Sequence, residues 1–162
     1  MVFLEFLYLR LAPRQRVANG MHISNLSQVS HLMSNARGAL LLSGHIANWE
    51  WLAIGTGLNV RPIHVIVKEQ RNPRVAHFLR SMRTRFGNIM IDVSEIRRVV
   101  RALATGGLVA LLGDQASFAE SVAVPFFGAP VPTFEGTARL ALRMRSPLLF
   151  LAPVRRTRDG YE

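Results

Sequence analysis

At 162 residues, 49% of them hydrophobic, the chain is long enough to bury one real core. It has no cysteine, which excludes a disulfide framework, a zinc–thiolate site and a thiol nucleophile. The net charge is +10 and Lys68 is the only lysine among the twenty basic residues. Guanidinium groups grip phosphate and carboxylate in a bidentate fork, so the charge points to an anionic partner: a phospholipid surface, a phosphorylated substrate or nucleic acid. Plain solvation of a basic face is the competing account of any single arginine.

The chain opens with an apolar stretch, Val2 to Leu11, interrupted by Glu5 and Arg10. It falls short of the ~18 apolar residues that span a bilayer and lacks the basic start and cleavage site of a signal peptide. As a helix it packs on the core, the commoner outcome, or lies on a membrane. Residues 1–38 read as an N-terminal helical segment and residues 39–162 as an α/β domain.

From residue 39 strand-like and helix-like segments alternate. Ala39–Ser43 reads as a buried strand, Asn48–Leu58 as a helix and Pro62–Val67 as a β-branched strand. Asn72–Phe86 is an amphipathic helix with Asn72 as its cap, Pro73 in the first helical position and Gly87 at its end. Its apolar residues Val75, Phe78, Leu79, Met82 and Phe86 recur at helical spacing. Ile89–Val93 is a strand, and Ser94 is positioned to cap a second amphipathic helix that turns Ile96, Val99, Val100 and Leu103 inward before Gly106-Gly107. Leu108–Leu112 is a strand, Thr133–Arg145 a helix and Leu148–Val154 a strand. The expected fold class is α/β: a mostly parallel sheet flanked by helices. Residues 113–132 offer no convincing element, and a loop of that length is usually functional or mobile. Both ends read as truncated, with no closing helix after the last strand.

Candidate chemistry centres on His45-Ile46-Ala47-Asn48-Trp49-Glu50, directly after the Ala39–Ser43 strand. In an open α/β sheet, sites form at the carboxyl ends of strands. Histidine is the usual base near neutral pH, and a carboxylate is the usual group that orients it. On a continuous helix His45 and Glu50 would stand about 140° apart, so the chain must turn between them if they are to meet. Asp114-Gln115 ends another apolar strand and belongs on the same rim. A nucleophile elbow, a phosphate-binding Gly-x4-Gly-Lys loop and a zinc-binding His-Glu-x-x-His helix are all missing.

The His45-to-Glu50 segment resembles the His-x4-Asp/Glu box of glycerolipid acyltransferases, and its Asn-Trp-Glu form resembles the branch containing the late acyltransferases of lipid A biosynthesis. Further blocks agree in order: Asn72-Pro73 to Arg83-x-Arg85-Phe86-Gly87, Gly107 to Asp114-Gln115, and Val124-Pro125-Phe126-Phe127-Gly128 with Thr133, Gly136 and Ala138. The resemblance implies an acyltransferase-like fold and acyl transfer from a thioester to a hydroxyl of a lipid A precursor or related glycolipid or lysophospholipid. It implies His45 as general base and Glu50 as the group that holds its tautomer. It implies a substrate-binding set of Asn48, Arg83, Arg85, Asp114, Gln115, Phe127 and Gly128, with arginines holding the acceptor phosphate or the phosphopantetheine end of the donor. No metal and no cofactor are expected, the co-substrate being an acyl carrier protein thioester or acyl-coenzyme A. The expected partners are a lipid acceptor and an anionic membrane surface, with no nucleic acid, and the expected location is the cytoplasmic face of the bacterial inner membrane. The alternatives are a basic nucleic-acid-binding module, a thioesterase or hydrolase using the same dyad, and a non-catalytic fragment.

Overall fold

A computed structural model describes residues 2–34, 38–115, 121–157 and 160–162. Three helices come first: α1 (Val2–Leu11), α2 (Arg14–Asn19) and α3 (Leu26–Ser34). An alternating unit follows, with β1 (Ala39–Ser43), α4 (Trp49–Asn59), β2 (His64–Val67), α5 (Pro73–Thr84), β3 (Ile89–Asp92), α6 (Ile96–Ala104) and β4 (Leu108–Leu112). Then come β5 (Ser121–Phe126), β6 (Ala129–Phe134), α7 (Gly136–Met144), β7 (Leu148–Phe150), β8 (Arg155–Thr157) and β9 (Gly160–Tyr161).

The main sheet has five strands in the order β3-β2-β4-β1-β7, and every pairing in it is parallel. The expected helix-flanked parallel sheet is therefore present. Alternation along the strands builds a core on each face. Leu40, Val109 and Ile91 pack with Val99, Ala102 and Leu103 of α6 on one side, and Leu140 and Met144 of α7 join them. Ala39, Leu41 and Leu108 face the other way, toward Ala53 of α4. A third cluster places Leu9 of α1, Val17 of α2, Trp51 and Ile54 of α4 and Met82 of α5 together. Each fully buried aliphatic side chain stabilises by about 1.5–3 kcal/mol, and truncating Leu40 to alanine would cost about 2–5 kcal/mol.

Helix α5 begins as its sequence dictates. Asn72 accepts hydrogen bonds from the Arg74 and Val75 N–H groups, and Pro73 occupies the first turn. Several local expectations are corrected. Ser94 does not cap α6; its hydroxyl donates to Asp92, and Glu95 stands at the cap position. Ile96 lies exposed rather than inward, because it sits in the first turn of its helix. Residues 121–134 form the β5–β6 hairpin where no element was expected, and this shortens α7 at its start. Strand β7 stops at Phe150, and a short β8–β9 ribbon follows.

Helix α1 does part of each thing expected of it. Leu9 is fully buried and Tyr8 stacks on Trp51 with ring centroids 5.5 Å apart, whereas Leu4, Leu7 and Leu11 stay exposed beside Arg16.

Candidate active site

Strand order sets the location. The chain leaves β1 toward β2 on one side of the sheet, and it leaves β4 to reach β7 on the other. The crevice between the carboxyl ends of β1 and β4 is thus the point where connections diverge, the usual place for a ligand in such a sheet. The two strands pair from Ala39↔Leu108 to Ser43↔Leu112, and the Gly113 N–H donates to the Ser43 carbonyl. His45 and Asp114 follow at the same offset from that last pair.

They are bonded twice. The His45 backbone N–H donates to Asp114 Oδ2 at 2.7 Å, and His45 Nδ1 stands 2.8 Å from Asp114 Oδ1. Gly44 allows this approach: a Cβ there would lie 3.2 Å from Asp114 Oδ2. The His45 ring also meets the Trp49 indole edge-on, with centroids 4.8 Å apart. Burial pushes the Asp114 carboxyl upward, but hydrogen bonds from the His45 backbone and ring outweigh it and hold the group below its usual range. An ionised Asp114 at Nδ1 favours the tautomer protonated there, which leaves Nε2 free to accept a proton.

The chain does turn between His45 and Glu50, through Ala47 at φ +48° and the Asn48 cap, but each side chain bonds a different partner. The Glu50 side chain is 4% exposed and its carboxylate is held by Arg83 of α5: Nε lies 3.0 and 2.9 Å from the two oxygens, and Nη2 bonds Oε1 as well. In place of a direct His45–Glu50 hydrogen bond, the side chains form two pairs, His45–Asp114 and Glu50–Arg83. The reason is topological, since adjacent strands deliver Asp114 whereas the first turn of α4 points Glu50 at α5.

Two other expected site residues, Asn48 and Arg85, have structural hydrogen-bond partners. Asn48 is wholly buried; its Oδ1 accepts from the Trp51 N–H at 3.0 Å, and its Nδ2 donates to Glu5 Oε2 at 2.5 Å. Arg85 Nη1 donates to the Leu9 and Ala12 carbonyls at 3.1 and 2.7 Å, satisfying acceptors at the end of α1. Gln115 is exposed just past Asp114, and Phe127 and Gly128 form the β5–β6 turn. Among the described residues no cluster of three His, Asp or Glu side chains could hold a metal.

Glu5 is a structural centre that the sequence reading passed over. Its carboxylate accepts from Asn48, from Tyr161 Oη at 3.0 Å and from Arg155. Burial raises its pKa, yet the bonds from Asn48, Arg155 and Tyr161 leave it lowered. The available signal was an acidic residue alone in an apolar helix, which demands a partner when buried.

A histidine paired with an ionised carboxylate at a parallel-sheet switch point is an arrangement suited to transfer or hydrolytic chemistry. The sequence profile of the bacterial lipid A biosynthesis acyltransferase family matches residues 1–162, and the chain belongs to that family. A comparison with curated proteins gives no match. The family assignment makes the chain an acyltransferase, with a lipid acceptor and an acyl thioester donor.

Proposed function

We propose that this acyltransferase moves a fatty acyl group from an acyl carrier protein or coenzyme A thioester to a hydroxyl of a lipid A precursor or related glycolipid, with His45 as general base. The observation that carries the reading is the doubly bonded His45–Asp114 pair at the β1/β4 rim. Nε2 takes the proton from the acceptor hydroxyl as its oxygen attacks the thioester carbonyl. Collapse of the tetrahedral intermediate expels the thiolate, which recovers the proton from the imidazolium. Asp114 holds the tautomer and stabilises the charged ring in between. No acyl-enzyme is required, and no cofactor takes part.

In this reading Glu50 acts through packing. Its ion pair with Arg83 fixes the start of α4 to α5 and so fixes the turn that presents His45. The enzyme works at a membrane face, the cytoplasmic side of the bacterial inner membrane. The exposed apolar residues of α1 and the basic charge of the chain support this. Among the described residues no helix is long and apolar enough to cross a bilayer.

The test is acyl transfer to a lipid A precursor, read by mass spectrometry, with each thioester donor in turn. His45→Ala should lower the rate by about 10²- to 10⁴-fold while the fold persists. Comparable transfer by a folded His45→Ala protein would remove the base from the mechanism.

A further inference from the structure

From Ser121 to Phe134 the β5–β6 hairpin carries no charged residue, on a chain whose net charge is +10. One root is placed: it leads into α7, whose Thr137 Oγ1 would stand 3.8 Å from a Cβ on Gly113, next to Asp114. The hairpin is thus anchored at that root beside the rim that holds His45, while residues 116–120 lie outside the described ones.

Register decides what it presents. Val122, Val124 and Phe126 of β5 and Val131 of β6 share one face, and all four are exposed. At the turn Phe126 pairs with Ala129, so the next pair, Pro125↔Pro130, and later Ala123↔Pro132, direct their N–H positions outward. Proline fills three of those four positions and removes the donors that a pairing strand would need.

The tip is the sharpest observation. Phe127 and Gly128 both have positive φ, +48° and +82°, in a two-residue turn that favours Asn-Gly. Phe127 is 95% exposed and Phe126 61%. A phenyl ring here is unfavourable for backbone conformation and for hydration together, the kind of breach found at functional positions.

The outward prolines disfavour a strand-adding protein, and net positive charge opposes a second copy of the chain. An uncharged apolar tip on a cationic body matches an anionic lipid surface. We propose that the β5–β6 hairpin is an insertion finger whose Phe126 and Phe127 rings enter the apolar layer of an anionic bilayer and hold the His45 rim against it. The proposal rests on the acyl-transfer reading only for the lipid nature of the acceptor. Six-residue strands span ~20 Å, and interfacial elements bury ~5–10 Å of depth, so the tip can be immersed while His45 stays at headgroup level.

The test is sedimentation of the full chain with phosphatidylethanolamine–phosphatidylglycerol vesicles, with no acyl donor or acceptor present. Phe127→Asn converts the turn to Asn-Gly and should keep or raise the melting temperature while lowering vesicle partition about tenfold or more. His45→Ala should bind like the wild type, so failure of the catalytic reading shows separately in the transfer assay. Because the chain has no cysteine, Phe127→Cys carrying a polarity-sensitive fluorophore gives a second readout, a blue shift on adding vesicles. Equal partition of wild type and Phe127→Asn, no wild-type binding at low salt, or an unshifted label would each overturn the proposal. So would unchanged partition with a raised KM confined to long-chain thioesters, which would make the finger a wall for the donor's acyl chain.

Discussion

His45 and Asp114 each lie two residues beyond a paired strand end, Ser43 on β1 and Leu112 on β4. Equal offsets on adjacent parallel strands bring the two backbones level, and the carboxylate then spans both the N–H and the ring of the histidine. The pair is therefore a product of strand register, with a separation of 69 residues in the chain.

That origin separates two carboxylates that a sequence motif treats alike. Asp114→Asn should keep the hydrogen-bonded geometry but favour the wrong imidazole tautomer, lowering kcat by about 10²- to 10⁴-fold with little change in melting temperature. Glu50→Gln should lower the melting temperature more than it lowers kcat. Steady-state kinetics and thermal unfolding of the two variants check this, and the reverse pattern would return the orienting role to Glu50.

The Glu50–Arg83 pair predicts a stability effect with a definite asymmetry. Arg83→Ala leaves a nearly buried carboxylate without its counter-charge and should destabilise by about 3–5 kcal/mol. Replacing both residues by apolar ones of similar size should recover much of that loss. Urea unfolding of the single and double variants measures it.

Glu5 predicts a pH dependence. Its folded pKa lies below the ordinary 4.5, so the stabilisation it contributes is present above that value and fades as pH falls through the lowered folded value. Glu5→Gln should accordingly be less stable than the wild type at neutral pH, and the gap in melting temperature should close below about pH 4.5. A gap that stayed constant into acid would assign the effect to packing rather than to charge.

Asn48 predicts a cost larger than a helix cap alone. Loss of a cap is worth about 0.5–2 kcal/mol. Asn48→Ala also strips a donor from the buried Glu5 carboxylate, so a change above that range is expected in denaturant titration, whereas Asn48→Asp should restore the cap and add repulsion against Glu5.

The sheet was legible because parallel strands buried on both faces announce themselves as apolar runs, and the helices because Asn72-Pro73 and the spacing of Val99 and Leu103 carry local signals. The β5–β6 hairpin was not, because its turn holds Phe-Gly where Asn-Gly is the recognisable pair, and its prolines read as loop until register shows them facing outward. At the site, position along the chain put His45 and Asp114 on one rim, and the two are hydrogen-bonded there. The partner of the His45 ring was not legible, because proximity in sequence favours Glu50 while strand adjacency, a long-range property, brings Asp114 to it. The Glu5 cluster lay beyond reach for the same reason: its members come from α1, the α4 cap and the last strands.

The tie between Glu5 and Tyr161 also orders events during synthesis. β1 through β4 can pair once residue 112 has left the ribosome, yet the carboxylate that anchors α1 to the α4 cap lacks two of its three partners until Arg155 and Tyr161 emerge. Until then Leu9 can pack and Arg85 can reach the end of α1, but the Glu5 carboxylate has Asn48 alone, so the acidic centre of the fold is the last part of it to be satisfied.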